Sequence, residues 1–326
     1  MNKTVTIVVP VFDVSDYIER CVESVMYQTY KYLECIIVDD ASPDDSITKC
    51  NRMISSYRGH VKFRIIHHKQ NKGLSASRNT GIKAATGMYL FFLDSDDALS
   101  SDCIEKLISP ILGDSNTEMV IGNFLGHSEG RLITPSRQQR DNAIVGLSDV
   151  RDYYFNGKYY STAWNKLVKK VFIEQHNLYF KEGVLWEDTL WSFFVVKYLC
   201  QLRTVSDVTY HHYKRPHSIT TGISKSEKAR NMGLVYDEIG KNFTSGEDAR
   251  EAMFFYKNLC YYLIQKPDYR FYKAAQSFRK ALSDGNHEFA VLLLYLTVFF
   301  SKTSVGRWFL GGIITVRRFF KEMKNK

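Results

Sequence analysis

The 326-residue sequence predicts an α/β fold: a Rossmann-like, mostly parallel β-sheet covered by helices and followed by a C-terminal helical extension. Strand-like and helix-like segments alternate through the first hundred residues. The strand-like segments are continuously apolar, which is typical of parallel strands that are buried on both faces. From about residue 226 onward the pattern is helical and contains no strand-like run.

Each element of the first hundred residues has its own local signal. Strands rich in β-branched and aromatic residues are predicted over Val5–Val9, Leu33–Val38, Val61–His67 and Met88–Leu93. Helices are predicted between them, over residues 15–28, 44–57 and 75–85. Ser15 is the expected N-cap of the first helix. This β-α-β-α-β-α-β order favours parallel pairing of the strands.

Residues 101–225 carry mixed signals. Strands are predicted over Met119–Phe124 and Thr204–Tyr213, and a polar loop over Arg131–Asp141. Two acidic residues, Glu187 and Asp188, precede an apolar stretch of helical character. We therefore predict one main domain over residues 1–225 and a helical extension over residues 226–326.

Polar side chains follow three of the predicted strands. They are, in chain order, the segment Pro10–Asp13, the pair Asp39 and Asp40, and the acidic residues Asp94, Asp96 and Asp97. Ligands of parallel sheets bind beyond the carboxyl ends of the strands, so we expect these groups to share one edge. A turn or a helix cap explains single acidic residues such as Asp44 and Asp45. Three acids after the fourth strand exceed what a cap needs.

The acidic run after the fourth strand predicts a divalent metal site. Mg²⁺ and Mn²⁺ prefer carboxylate oxygens and usually bind through one or two carboxylates together with substrate phosphates. We expect Asp94, Asp96 and Asp97 to hold such an ion. A calcium loop of the EF-hand type, ending at Glu105, is the alternative. It is disfavoured because Leu99 stands where that loop needs glycine, and because a strand precedes it.

Other features argue against several function classes. The sequence contains no Gly-x-Gly-x-x-Gly after the first strand and no Gly-Lys-Ser/Thr loop, which disfavours a dehydrogenase or a P-loop ATPase. Hydrophobic residues make up 44% and charged residues 24%, which disfavours disorder. The six cysteines lack zinc-site spacing, and no signal peptide opens the sequence. We expect a reducing, cytoplasmic setting.

Five motifs occur in order: Thr6–Phe12, Gln28-Thr29, Val38–Ser42, Asn71–Gly81 and Leu93–Asp97. Together they resemble family 2 glycosyltransferases of the GT-A fold, particularly bacterial enzymes that build capsular, lipopolysaccharide or exopolysaccharide chains. The resemblance covers residues 4–100 and resumes at 186–188 and 213–220. It implies a GT-A catalytic domain over residues 1–225, in which 1–100 bind a nucleotide sugar, usually a UDP-sugar, and 101–225 bind the acceptor.

The resemblance also implies roles for individual residues. Those that would bind the nucleotide sugar are Pro10, Val11, Phe12, Asp40, Arg78, Asn79, Asp94, Ser95, Arg215 and Ser218. Among them, Asp40 would contact the nucleobase, and Arg215 and Ser218 lie in a segment that resembles the loop closing over the diphosphate. Asp94 and Asp96 resemble the aspartate-x-aspartate motif that holds ribose and metal. The sequence departs from the family pattern at Asp13, usually asparagine, and at Ala41, usually glycine.

The pair Glu187 and Asp188 resembles the acceptor-side motif of the family, in which Asp188 would be the general base. A single displacement by the acceptor hydroxyl would invert the anomeric configuration. The alternative is a helix N-terminus that carries acids because the helix dipole favours them. Two rival functions remain open: a nucleotidyl or sugar-phosphate transferase that uses the same acidic cluster, and a non-catalytic, membrane-associated scaffold.

The histidines divide into two groups. His67 and His68 end the third strand, and we interpret them as structural. His211, His212 and His217 flank the segment expected to close over the diphosphate. Each of these three is either a ligand of metal or phosphate or an ordinary polar residue, and the sequence does not decide between these roles.

The C-terminal residues are basic and amphipathic. Net charge is +9, and residues 301–326 contain seven basic side chains against one acid. Apolar residues recur at helical spacing between Val305 and Met323, which favours peripheral contact with the inner face of the cell membrane over nucleic acid. Such contact would suit a lipid-linked saccharide acceptor. The alternative is a helix packed on the catalytic domain or on a second subunit of a homo-oligomer.

Overall fold

A computed structural model describes residues 3–135, 138–215, 218 and 223–242. The chain divides into two compact units. One contains residues 1–183 and 187–221, and the other contains residues 184–186 and those from 222 onward. Every strand that the structure describes belongs to the first unit.

The first unit opens with strands and helices in alternation. They are β1 (Val5–Val11), α1 (Ile18–Met26), β2 (Leu33–Asp39), α2 (Ser46–Ser56), β3 (Lys62–His67), α3 (Leu74–Ala84) and β4 (Tyr89–Phe92). Strand β1 pairs in parallel with β2 and β4, and β2 pairs in parallel with β3. All residues of β1, β2 and β4 are buried, as their continuous apolar sequence predicts.

The second half of the sheet mixes parallel and antiparallel strands. Its elements are β5 (Ala98–Leu99), α4 (Cys103–Gly113), β6 (Met119–Ser128), β7 (Arg131–Ile133), β8 (Asn142–Val145), α5 (Leu147–Phe155), β9 (Lys166–Lys169), α6 (Lys170–Gln175), α7 (Glu187–Val196) and β10 (Gln201–Tyr213). The main strand order is β3-β2-β1-β4-β9-β6-β10-β5. Strand β9 runs antiparallel between β4 and β6, and β10 runs parallel to β6. Strand β10 therefore has the direction of β4, and its carboxyl end reaches the same edge.

Helix α3 packs closely on β1, which fixes two predicted site residues. An added Cβ at Gly81 would lie 2.2 Å from Cγ1 of Val8, so only glycine fits at this contact. The preceding turn of α3 carries Arg78 and Asn79, whose side chains are both buried. Because α3 lies so close to β1, these polar groups are buried next to the parallel strands.

Two local predictions are wrong. Helix α1 begins at Ile18, and Ser15 does not cap it, because its hydroxyl contacts Asp45 and lies 2.8 Å from Nζ of Lys49 on α2. The segment Arg131–Ile133, predicted as loop, is strand β7, paired with β6. Its side chains are all exposed, so backbone hydrogen bonds make this strand without an apolar pattern.

The helical extension lies mostly outside the described residues. Its described part is helix α8 (Lys225–Lys241), which belongs to the second unit. No helix in the described ranges combines the length and the apolar content needed to cross a bilayer. The basic amphipathic segment predicted between Val305 and Met323 falls entirely outside the described residues.

Candidate active site

The carboxyl ends of β1, β2, β4 and β10 meet at one edge of the sheet. Since β1 lies between β2 and β4, and neighbouring strands are about 4.8 Å apart, the ends of β2 and β4 are separated by roughly 10 Å. The three polar clusters expected from the sequence therefore share this edge. They differ, however, in how their side chains are bonded.

At the end of β2, Asp40 is buried and organises the chain that leads into α3. Its Oδ1 accepts a hydrogen bond from the Lys72 backbone N–H (2.8 Å), and its Oδ2 accepts one from that of Gly73 (2.7 Å). Nδ1 of His68 lies 2.7 Å from Oδ1 of Asp40, and its Nε2 lies 2.9 Å from Oγ1 of Thr80. His68 is thus structural, as predicted. A carboxylate has about four acceptor positions, and these contacts use three of them. The nucleobase contact of Asp40 therefore stays a prediction.

The two departures from the family pattern, one after β1 and one after β2, both have positive φ. Asp13 has a φ of 54° and its N–H donates to Oγ of Ser42 (2.9 Å), and Ala41 has a φ of 57°. Asparagine and glycine tolerate this backbone region better than alanine does. Pro10 and Val11 are buried within β1, whereas the Phe12 ring is 42% exposed at the edge.

At the end of β4, each of the three acidic residues has different hydrogen-bond partners. Oδ1 of Asp94 accepts from Nη2 of Arg78 (2.7 Å), and Oδ2 of Asp96 accepts from Nε of Arg215 (2.6 Å). Asp97 accepts from the Tyr210 hydroxyl and from the Tyr213 N–H, both at 2.7 Å. Ser95, between Asp94 and Asp96, is buried. Ser218 lies three residues beyond Arg215 in the chain.

Asp97 differs from the other two acids because it is fully enclosed. Burial, with Asp96 and Asp94 nearby, raises the pKa of Asp97 well above its ordinary value, and both of its oxygens accept hydrogen bonds within the protein. Its predicted role as a metal ligand stays a prediction that this geometry does not favour. Among the described residues, no group of three His, Cys, Asp or Glu side chains is arranged to hold a metal ion.

Arg78 joins the end of β4 to the start of α7. The buried guanidinium donates to Oε1 of Glu187 (2.5 Å) as well as to Asp94. Burial alone would lower the pKa of Arg78, but the adjacent carboxylates of Asp94 and Glu187 raise it above its ordinary value. The cation therefore stays charged and fixes the acidic pair of α7 beside the strand-end acids, although about ninety residues of sequence separate them.

Asp188 follows Glu187 and is partly buried at the start of α7. Burial and, after it, the neighbouring Glu187 raise the pKa of Asp188 to about 7, against the opposing effect of Arg78. Its Oδ1 accepts the Thr189 N–H (2.7 Å). A carboxylate whose pKa lies near neutrality can both take up and release a proton at physiological pH, which suits a general base.

Asn79 fastens another segment to α3. Its amide oxygen accepts the Phe180 N–H (2.8 Å), and its amide nitrogen donates to the Phe180 carbonyl (2.8 Å) and to Oε1 of Glu182 (3.2 Å). These bonds occupy both ends of the amide. Its predicted contact with the nucleotide sugar stays a prediction.

The sequence profile described as "Glycosyl transferase family 2" matches residues 6–187. The chain belongs to this family. It is 33% identical over 246 residues to the protein EpsH of Bacillus subtilis, a match that covers 73% of this chain and 68% of EpsH. The chain spans 64% of the length of one further bacterial relative and 27% of another.

Solved structures establish the GT-A fold of the family 2 domain. S. aureus TarS, residues 1–349 in complex with UDP-GlcNAc, superposes with a TM-score of 0.68 at 19% identity, covering 92% of this chain and 91% of that one. A mannosyltransferase of Pyrobaculum calidifontis, in complex with GDP-Man and Mn²⁺, superposes with a TM-score of 0.57 at 15% identity, covering 95% of this chain and 84% of that one. The predicted fold class is thereby confirmed.

One buried residue of the family 2 domain escaped the sequence analysis. Lys166 on β9 is buried, and its Nζ donates to Oγ1 of Thr162 (3.0 Å) and lies 4.9 Å from the Tyr159 ring centroid. Burial lowers the pKa of Lys166 to about 7, while Asp188 raises it. A strand of four residues is too short to show a periodic pattern, so no sequence signal marked this lysine as buried.

The histidines of β10 contact residues other than the acidic cluster. Nδ1 of His211 lies 3.0 Å from Nε2 of His127, and Nε2 of His211 lies 3.2 Å from Oγ of Ser100. His212 stacks on Trp164, with ring centroids 5.6 Å apart. Of the three histidines left open by the sequence, His217 falls outside the described residues.

The calcium-loop alternative for residues 94–105 does not fit the structure. Asp102 pairs with Lys106 (2.9 Å), and Glu105 contacts the Thr29 hydroxyl. These carboxylates bind partners on and beside α4 and do not turn toward Asp94. The acidic run is therefore a strand-end cluster, as expected for a family 2 domain.

Proposed function

We propose that this chain transfers a sugar from a UDP-sugar to an acceptor hydroxyl, with inversion, during assembly of a bacterial surface polysaccharide. The observation that carries the proposal is the Arg78 bridge, which holds the acids of β4 and those of α7 in one site. One group of acids can serve the donor and the other the acceptor, as a displacement reaction requires.

The donor would lie along the carboxyl edge of the sheet. The exposed Phe12 ring and the Asp40 region would receive the nucleobase, and the diphosphate would extend toward the end of β4. TarS, which shares the fold, is solved with UDP-GlcNAc, so UDP-sugars are the donors to test first.

The acids at the end of β4 fit a divalent cation of the Mn²⁺ or Mg²⁺ type. The side chains of Asp94 and Asp96 are 26% and 22% exposed. Within the described structure, one carboxylate oxygen of each accepts no hydrogen bond. Two carboxylates completed by substrate phosphates are a usual ligand set for these ions. A cation held there supplies positive charge opposite the departing diphosphate.

Asp188 would act on the acceptor. Its carboxylate takes the proton of the acceptor hydroxyl while that oxygen forms a bond to the anomeric carbon. The bond from this carbon to the diphosphate oxygen breaks, and the leaving group carries away the negative charge. Glu187 is bound to Arg78 and so positions the start of α7. Since one displacement occurs, the configuration at the anomeric carbon inverts.

The acceptor class and the location of the enzyme are proposed from the family resemblance and from the basic C-terminal sequence. A saccharide or lipid-linked saccharide would present the hydroxyl, and the basic segment between Val305 and Met323 would hold the enzyme at the inner face of the cell membrane. Binding of the chain to anionic lipid vesicles, compared with neutral ones, tests this location directly.

The activity is tested with a panel of UDP-sugars, Mn²⁺ and released UDP as the readout. Asp188→Asn should lower turnover roughly 10²–10⁴-fold, because general-base help is lost, while UDP affinity changes little. Asp102→Asn is the matched control, because Asp102 pairs with Lys106 on α4. Release of pyrophosphate would instead identify a nucleotidyl transferase, and equal turnover of both variants would refute Asp188 as the base.

A further inference from the structure

Two arginines form ion pairs with carboxylates at the end of β4. Arg78 binds Asp94, and Arg215 binds Asp96, each through one carboxylate oxygen at 2.7 Å and 2.6 Å. Positive charge is therefore already present at the carboxylates to which we assign the divalent cation. Any ion that binds there has to share these carboxylates with the arginines.

The two arginines are held very differently. Arg78 is 2% exposed and bridges two carboxylates, Asp94 and Glu187, from the middle of a helix. Arg215 is 16% exposed, forms one ion pair with the described part of the chain, and stands two residues beyond the end of β10. Its guanidinium carbon also lies 5.3 Å from the centroid of the Tyr17 ring. Arg78 is thus a permanent part of the site, whereas Arg215 has one charged partner to exchange.

We propose that Arg215 is a positioning residue that stands in for the divalent cation at Asp96 and makes metal binding depend on the nucleotide. The proposal rests on the function proposed above, and in particular on a metal at Asp94 and Asp96. Without nucleotide, Arg215 neutralises Asp96 and competes with the ion. A diphosphate offers Arg215 a bidentate anionic partner, which releases Asp96 to the metal.

This exchange gives nucleotide and metal a reciprocal coupling. The nucleotide raises metal affinity by removing the competing cation, and by linkage the metal raises nucleotide affinity by the same factor. The carboxylate is never left without a positive partner, because one cation replaces the other. The acidic cluster would otherwise carry unbalanced, mutually repelling charges whenever the donor is absent.

The test measures Mn²⁺ binding by the loss of the free-ion EPR signal, with and without UDP, on the full chain. Arg215→Gln should bind Mn²⁺ alone at least about fivefold more tightly than the original chain, and UDP should improve its Mn²⁺ affinity less. Arg215→Lys keeps a cation near Asp96 and should restore weak binding of Mn²⁺ alone. Lys214→Gln is the matched control, because it removes an exposed charge from the adjacent position.

The outcomes separate this proposal from the proposed function. Equal Mn²⁺ affinity of Arg215→Gln and the original chain in the absence of UDP would overturn the role of Arg215, even if sugar transfer is confirmed. An equal gain in Lys214→Gln would also overturn it, because the effect would then be general charge. If UDP never promotes Mn²⁺ binding while UDP-sugars still turn over, the metal assignment fails together with this proposal, but the transferase activity stands.

Discussion

The ends of β2 and β4 lie at the same edge of the sheet, yet their carboxylates are bonded in opposite ways. Asp40, at the end of β2, accepts backbone N–H groups of Lys72 and Gly73 and contacts a buried histidine. Asp94 and Asp96, at the end of β4, pair with arginine side chains. The first arrangement fixes the course of the backbone, whereas the second sets the charge of a cleft.

This contrast assigns different tasks to the two ends. Backbone donors cannot leave without unfolding the loop, so Asp40 gives the end of β2 a fixed shape. Side-chain cations can be exchanged for other cations, so the end of β4 can accept a ligand whose charge changes during reaction. Among the carboxyl groups, raised pKa values occur in Asp97 at the end of β4 and in Asp188 at the start of α7, where like charges and burial coincide.

The largest expected effect tests the ionic side of this comparison. Arg78→Met should lower the free energy of unfolding by about 3–5 kcal/mol, because it leaves the buried carboxylate of Glu187 and that of Asp94 without their cation. Arg203→Met is the matched control, because it breaks a solvent-exposed pair with Asp114 and should change the free energy of unfolding much less. Urea denaturation measures both. Similar losses for the two variants would show that the Arg78 bridge does not stabilise the site.

The sequence predicted the first half of the sheet well and the site only in part. Continuous apolar runs such as Val5–Val9 identified buried parallel strands, and the acids after them were correctly expected at one edge. The strand β9 was missed because it has only four residues, and β7 was missed because its side chains are all exposed.

Partner choice was the part that the sequence could not provide. Nothing in the spacing of Asp94, Asp96 and Asp97 shows that two of them face arginines and the third faces Tyr210 and Tyr213. The partners are spread along the sequence from Arg78 to Arg215, and only the folded sheet brings them together. The burial of Lys166 could not be predicted either, because no local sequence pattern marks it.

A smaller effect is expected at the end of β2. Asp40→Asn replaces one acceptor oxygen by an N–H₂ donor, which would face a backbone N–H of Lys72 or Gly73, or His68. The unsatisfied donors should cost about 1–3 kcal/mol of unfolding free energy. Asp45→Asn, at an exposed position before α2, should change it little. An unchanged free energy of unfolding in Asp40→Asn would mean that the shape of this end does not depend on the carboxylate.

The smallest expected effect concerns the charge state of Asp188. With its pKa near 7, kcat/KM should fall about tenfold per pH unit below that value, because only the carboxylate can accept the proton. Glu187→Gln removes a negative neighbour and should shift this acid limb to lower pH by roughly one unit. An unchanged limb in Glu187→Gln would assign the titration to another group.

The pH dependence of folding stability reports the titration of Asp188 without any measurement of turnover. Because the folded pKa of Asp188 lies above its unfolded value of 3.8, the unfolded chain binds fewer protons at this site between those values. The contribution of Asp188 to stability is then complete below about pH 4 and is lost as pH rises through 7. Asp188→Asn lacks this loss, so its melting temperature should rise relative to the original chain by several degrees between pH 4 and pH 8. A constant difference over that range would show that Asp188 titrates normally, and the electrostatic contrast between the two strand ends would then not extend to the proposed base.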